Sequence, residues 1–257
     1  MKINLDSFAI THKGLHRRLN EDAYLCKPEL GLFLVSDGMG GANCGDLASS
    51  LTKDFFENGI TPYILDPDAT VPFERKHDCH LLDALEYIAI ETNRTVQKIA
   101  DEKPECRGMG ATLTAVVVEK DWLNIVHVGD SRLYSFSNSN LEQLTEDHTR
   151  VHQMVKMNMI TEEQVQAHPM RHIITQCIGC KSKLQPDVMR IEIIPETVYL
   201  LCSDGLYDMI DYETLTTIMT DNSRLENLGN ALVDAANQNG GRDNITVVLF
   251  RQSHSGE

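Results

Sequence analysis

The chain contains no apolar run that approaches the roughly 18 residues of a membrane-spanning helix. Its opening, Met1-Lys2-Ile3-Asn4-Leu5-Asp6, has neither the basic nor the apolar block of a signal peptide. Basic charge is scarce as well. Lys and Arg number 23 against 38 Asp and Glu, for a net charge of −15, and no cationic stripe is present, which excludes general binding to nucleic acid or to anionic membranes. Seven cysteines, at 26, 44, 79, 106, 177, 180 and 202, form no framework of spacings. An odd, scattered set suits reduced thiols. Also missing are a linker-like tract, an internal repeat and a low-complexity segment. These absences predict a soluble, cytoplasmic, monomeric protein that contacts neither membrane nor nucleic acid.

What is present is enough apolar material for a large core: 42% of 257 residues, read as one domain over 1–257. Residues 3–10 alternate loosely as a strand, and 31–36 follow as another. Leu47, Leu51 and Phe55 recur at i, i+4 in a helix over 45–58 that Gly59 should stop, before a loop over 60–77 with three prolines. Leu81, Leu85, Ile88, Thr92, Val96 and Ile99 place a long helix over 78–101. Strands at 111–118 and 122–128 read as a hairpin that 132–136 continues. Residues 145–180 form a small helical excursion, with a capping box at Thr161 and Gln164 and a stop at Pro169. A strand at 197–202, a helix near 211–220, a second capping box at Ser223 and Glu226, and a strand at 245–250 complete the chain. Strands in groups and helices in groups predict an α+β layer fold with antiparallel sheets.

One device occurs twice. The runs Leu32-Phe33-Leu34-Val35 and Val198-Tyr199-Leu200-Leu201-Cys202 both lead into Ser-Asp-Gly, at Ser36-Asp37-Gly38 and Ser203-Asp204-Gly205. Gly129-Asp130-Ser131 and Gly241-Arg242-Asp243-Asn244 likewise set an aspartate beside glycine at the border of a β-rich run. If these strands share sheets, Asp37, Asp130, Asp204 and Asp243 converge on one rim. Carboxylates so gathered repel and raise one another's pKa unless a cation sits among them. Oxygen ligands without His or Cys favour Mg2+ or Mn2+ over Zn2+. Glycine after Asp37 and Asp204 would allow a tight turn and the approach of a backbone carbonyl to the ion. Two such ions would activate a water and clamp phosphate oxygens, which points to phosphate ester hydrolysis.

Seven segments in order carry a resemblance over nearly the whole chain: Arg17 with Asn20-Glu21-Asp22-Ala23, Asp37-Gly38-Met39-Gly40-Gly41, Gly110-Ala111-Thr112-Leu113, Gly129-Asp130-Ser131-Arg132, Leu144-Thr145-Glu146-Asp147-His148, Ser203-Asp204-Gly205-Leu206-Tyr207-Asp208 and Asp243-Asn244-Ile245-Thr246. The chain resembles the bacterial PP2C-type, or PPM, metal-dependent serine/threonine protein phosphatases. The resemblance implies two antiparallel sheets packed as a sandwich with helices on both outer faces, and a flap over about 145–180. It implies that Asp37 bridges two Mn2+ or Mg2+ ions, that the Gly38 carbonyl binds one, that Asp204 and Asp243 ligate the other, and that Glu21 and Asp22 reach the pair through waters. A weaker third ion would sit near Asp130 and Asp204, and Arg17 would hold the substrate phosphate with its planar fork. Phosphorylated proteins are then the substrates, and a Ser/Thr kinase of the same cell the opposing partner.

The chain departs from the family at Met39 and Ala42, where relatives carry histidines. The general acid is therefore unassigned among a metal-bound water, His12, His16 and His148. Arg18 reads as a surface charge. Cys177-Ile178-Gly179-Cys180 has no second pair at zinc-finger spacing and no thioredoxin context, and His77-Asp78-Cys79-His80 reads as a solvated helix start. Met154, Met157 and Met159 read as adaptable packing. A catalytically silent PP2C-like regulatory module is the alternative, although such a module should lack a core aspartate and none is missing. An EF-hand-like calcium protein would need a contiguous Asp-rich loop, which is absent.

Overall fold

The computed structural model describes residues 4–40, 44–66, 68–72, 74–221 and 224–252. Gly41, Ala42 and the capping residue Ser223 lie outside them. Two sheets dominate. Strands β1 (Leu5–His12), β7 (Arg132–Ser137), β8 (Asn140–Gln143), β10 (Val198–Cys202) and β11 (Ile245–Gln252) form one, in the order β1-β11-β10-β7-β8. Strands β2 (Asp22–Lys27), β3 (Leu32–Met39), β5 (Leu113–Glu119), β6 (Trp122–Val128) and β9 (Asp187–Glu192) form the other, in the order β2-β3-β5-β6-β9, with β4 (Gly110–Ala111) paired to β3. All of these pairings are antiparallel.

The central strands are apolar at nearly every position because both of their faces are covered. In β3, Leu32 and Leu34 point to helices α1 (Gly45–Leu65) and α2 (His80–Glu102), whereas Phe33 and Val35 point to the opposite sheet. In β11, Ile245, Val247 and Leu249 pack under α5 (Asp204–Tyr207), α6 (Tyr212–Asp221) and α7 (Leu225–Gln238), and Val248 and Phe250 face inward. Side chains that alternate at period two thus feed three apolar layers and give four tiers, helix–sheet–sheet–helix. Phe250 lies at the centre, stacked at 4.2 Å on Phe33 and at 5.1 Å on Tyr199. The excursion between β8 and β9 carries α3 (Arg150–Lys156) and α4 (Glu162–Val165), and the Thr161 amide donates to Gln164 Oε1 at 2.9 Å as its capping box requires.

The structure corrects two expectations. The first helix does not stop at Gly59 but runs to Leu65 with Pro62 inside its last turns. Gly59 is there for space: a Cβ would lie 2.8 Å from Ile88 Cγ2 of α2. The cysteines are not all lone thiols either. Cys44 is paired with Cys106 across 62 residues of sequence, and Cys177 with Cys180, while Cys26, Cys79 and Cys202 are free. The first pairing exists only because α1 and the turn before β4 pack together, a proximity that spacing along the chain does not encode. Among the described residues no helix is long and apolar enough to cross a membrane.

Because Phe250 is fully buried between two aromatic rings, Phe250→Ala is expected to lower stability by about 3–5 kcal/mol. Denaturant unfolding of the two proteins measures this, and a loss below about 1 kcal/mol would contradict the sandwich packing.

Candidate active site

The β2–β3 ladder sets Asp22 directly opposite Asp37, a like-charge pairing that a sheet tolerates only with compensation. Asp22 Oδ2 accepts hydrogen bonds from Ser203 Oγ at 2.7 Å and Thr246 Oγ1 at 2.6 Å. Both donors belong to the other sheet's side of the molecule, Ser203 just after β10 and Thr246 in β11. One carboxyl therefore ties the two sheets together, next to Asp204 and three residues from Asp243. Asp37 is fixed by Thr112: the Asp37 amide donates to Thr112 Oγ1 at 2.8 Å, and the Thr112 amide donates to the Asp37 carbonyl at 2.8 Å. Thr112 Oγ1 lies 2.6 Å from Ser131 Oγ, which places Asp130 by its neighbour. Gly129, at φ +106°, must be glycine on both counts, since a Cβ would also meet Thr112 Cγ2 at 2.6 Å.

These connections bring Asp37, Asp130, Asp204 and Asp243 to one cavity of about 720 Å³, with Arg17, Glu21 and Gly38 also on its lining. The convergence expected from the sequence is thus present. Asp22 lies off that lining, bonded to Ser203 and Thr246. The turn expected after each aspartate is not there. Gly38 continues β3 and Gly205 lies within α5, and neither has a positive φ. They are glycines because backbones touch. A Cβ at Gly38 would lie 2.0 Å from the Gly45 carbonyl oxygen, and one at Gly205 would lie 2.0 Å from that of Asn244.

The crowding shows in the acidities. Desolvation, then the charges of Asp22, Asp204, Asp130 and Asp243, hold the Asp37 carboxyl well above the usual carboxylate range. Desolvation followed by Asp130, Asp243, Asp208 and Asp22 does the same to Asp204. Asp22 is pushed up to about 6 by desolvation, against the hydroxyl bonds from Thr246 and Ser203. Asp130 is pushed up to about 7 by desolvation and by Asp147, with Arg132 opposing. Asp22 Oδ1 and Asp204 Oδ1 are buried without a hydrogen-bond partner among the described residues. An all-oxygen set with unsatisfied acceptors and mutual repulsion fits a hard divalent cation.

Asn244 organises the other wall. Its amide nitrogen donates to the carbonyls of Lys13 and Leu19, each at 2.9 Å, and its Oδ1 accepts from the Glu21 amide at 2.8 Å. The loop carrying Arg17 is thereby held beside the cavity, where Arg17 Nη2 meets Asp243 Oδ2 at 2.6 Å. Arg18, expected as a plain surface charge, also borders the cavity. The histidines considered as acids do not. His12 Nδ1 accepts from the Gly14 amide at 3.0 Å, and His148 lies between the Gly129 amide at 3.2 Å and Asp187 Oδ2 at 3.1 Å. His16 is absent from the lining as well. The described histidine on the cavity is His172, contributed with Ile174 by the helical excursion. His172, Asp204 and Asp208 each place a ligating atom within 4.8 Å of the others. Nothing local in the sequence marks His172, which reaches the site across a tertiary contact.

Comparison with known proteins decides the family. The profile described as "Protein phosphatase 2C" matches residues 14–247. The chain belongs to the protein phosphatase 2C family. It is 31% identical to the serine/threonine phosphatase stp of Listeria welshimeri, over 95% of this chain and 94% of that one. The crystal structure of the Mycobacterium tuberculosis serine/threonine phosphatase PstP/Ppp superposes with a TM-score of 0.84 at 31% identity, covering 97% of this chain and 99% of that one. The catalytic domain of PstP in complex with two manganese ions superposes with a TM-score of 0.79 at 30% identity, covering 96% and 97%. The sandwich described above is the fold of these PP2C phosphatases.

The raised acidities set a pH dependence. Asp22 and Asp130 ionise at about 6 and about 7 in the folded chain against 3.8 as the ordinary value. The stabilisation from their extra protons is full below 3.8 and is lost as pH rises through 6 to 7. A bound cation replaces those protons, so Mn2+ is expected to raise the melting temperature more at pH 8 than at pH 5. His127, lowered to about 4 by desolvation and then by His148, has the opposite sign but cancels between melts with Mn2+ and with EDTA. A Mn2+ increment that does not change with pH would count against the crowding.

Proposed function

We propose that this chain hydrolyses phosphoserine and phosphothreonine in proteins, opposing a Ser/Thr kinase, with Mn2+ or Mg2+ as cofactor. The observation that carries this reading is the meeting of Asp37, Asp130, Asp204, Asp243 and Arg17 on one cavity. Asp37 would hold two ions, with the Gly38 carbonyl on one and Asp204 and Asp243 on the other. Glu21 and Asp22 would stand behind them, and Asp130 beside Asp204 would serve a weaker third. The ions supply charge to a phosphoryl group and a water acidified to a nucleophile.

The protein's own groups do the rest. Arg17 is about half exposed, and a single Nη2 contact engages it with Asp243, so its other donors are available to fork onto phosphate oxygens. Among the described residues His172 is the histidine on the cavity; its Nε2 accepts from Arg171 Nε at 2.9 Å and its Nδ1 lies 3.6 Å from Asp208 Oδ2, so a proton on Nδ1 would be the one given to the departing seryl or threonyl oxygen, the task for which Met39 has no group. Segment 145–180 supplies this wall and acts as the flap. The enzyme is read as a monomer of one domain. A silent regulatory module gains no support, since Glu21, Asp37, Asp130, Asp204 and Asp243 all line the cavity and Asp22 is bonded just behind it to Ser203 and Thr246.

Purified protein with Mn2+ should dephosphorylate a phosphothreonine peptide and stop on addition of EDTA; an inert protein under these conditions would refute the proposal. Arg17→Ala should lower kcat/KM by about 10²-fold. Asp37→Asn should abolish turnover without lowering the melting temperature in EDTA, because it removes one of several repelling acids and no core packing.

A further inference from the structure

Four cysteines that phosphate hydrolysis does not use surround β4, the two-residue strand that backs the metal-binding end of β3. Gly38 and Met39 pair with Ala111 and Gly110. On its far side, Ala111 exchanges two backbone hydrogen bonds with Ile178, at 2.9 and 2.8 Å. Ile178 lies inside the Cys177–Cys180 pair, and Cys177 Sγ would be 3.0 Å from a Cβ at Gly110. On the near side, Cys44 immediately precedes Gly45, whose carbonyl is the atom packed against Gly38. Its partner Cys106 closes the turn Pro104–Cys106, and the Met109 amide donates to the Cys106 carbonyl at 3.0 Å on the way into β4. The Cα separations are 5.4 Å for Cys44 and Cys106 and 5.5 Å for Cys177 and Cys180, within the range that a disulfide spans without backbone movement.

We propose that these two pairs are thiol–disulfide exchange sites: oxidised, they clamp the Asp37-Gly38 end of β3 between α1 and the Ile178 turn, and reduced, they release it. The inference rests on the assignment of Asp37 and Gly38 as metal ligands. The two pairs differ in access. Cys44, Cys106 and Cys177 are 3–5% exposed, whereas Cys180 is only half-buried. Exchange therefore starts at Cys180. A thiolate of a small dithiol attacks Cys180 Sγ, the bond to Cys177 breaks, and Cys177 leaves as a thiolate that takes a proton. The second thiol of the reductant then closes on the first, releasing Cys180 as a thiolate and leaving the reductant as a disulfide, two electrons poorer. A low-molecular-weight disulfide reverses both steps. Cys44–Cys106 exchanges later, through local opening of the chain. A clamp of this kind acts on the ligands through their support, as outer contacts do at metal sites.

The test uses the full chain equilibrated in dithiothreitol or in oxidised glutathione, alkylated with iodoacetamide and mapped by mass spectrometry. In parallel, Mn2+ binding is measured by calorimetry and turnover with a phosphothreonine peptide. Both pairs are expected after oxidation, with Cys177–Cys180 the first to open. Reduced protein should bind Mn2+ about tenfold more weakly, and Cys180→Ser and Cys106→Ser should each move the oxidised protein towards that value. Alkylation of all four thiols after oxidation, or equal Mn2+ affinity in both states, overturns the proposal. Equal affinity with undiminished turnover leaves the phosphatase reading standing. Redox-dependent Mn2+ affinity without turnover supports the clamp and refutes the phosphatase.

Discussion

Asp22 faces Asp37 across one sheet and receives the hydroxyls of Ser203 and Thr246 from the side of the other. That carboxyl is where the sandwich is pinned at its aspartate-rich end, and it is also one of the acids whose crowding the fold must tolerate. The two roles oppose each other. Hydrogen bonds from hydroxyls favour the ionised form, whereas desolvation and the charge of Asp243 favour the protonated one, and the balance sits at about 6. A divalent cation in the adjoining cavity would resolve the conflict by supplying the missing charge, and would link the binding of metal to the integrity of this corner.

The rest of the architecture makes such a corner affordable. Three apolar layers, with Phe33, Phe250 and Tyr199 stacked in the central one, provide the rigid body on which strand ends can be strained by charge. Close backbone approach at Gly38 and Gly205 brings the ends of β3 and β10 against α1 and the Asn244 segment, leaving little freedom for the aspartates to move apart. A site held on sheet ends and braced by Thr112, Ser131 and Asn244 is preorganised, and repulsion among its carboxyls would become affinity for a cation.

Much of this was legible along the chain. Helices α1 and α2, the β5–β6 hairpin and strands β3, β10 and β11 follow from apolar period and turn chemistry, because each is long or fully apolar. The short strands β2, β8 and β9 carry mixed, partly exposed residues and leave little periodic signal. Gly59 and Pro62 look like a helix end by local rules, but packing against α2 carries the helix past them. For the site, Asp37, Asp130, Asp204 and Asp243 announce themselves by repeated aspartate–glycine junctions. His172, the exclusion of His12, His16 and His148 from the cavity, and the pairing of Cys44 with Cys106 have no such signature.

The division has a physical basis. The order of residues determined which groups are available and which segments are strands and helices, since those depend on local backbone preference and on period, and it set aspartates at the ends of several strands. Only the tertiary structure decided which of those ends meet, which histidine faces them and which sulfurs touch. Such meetings depend on how sheets and helices dock across 62 residues of chain for Cys44 and Cys106, or across more than 180 for Asp22 and Ser203. Distance along the sequence places no constraint on contacts of that range.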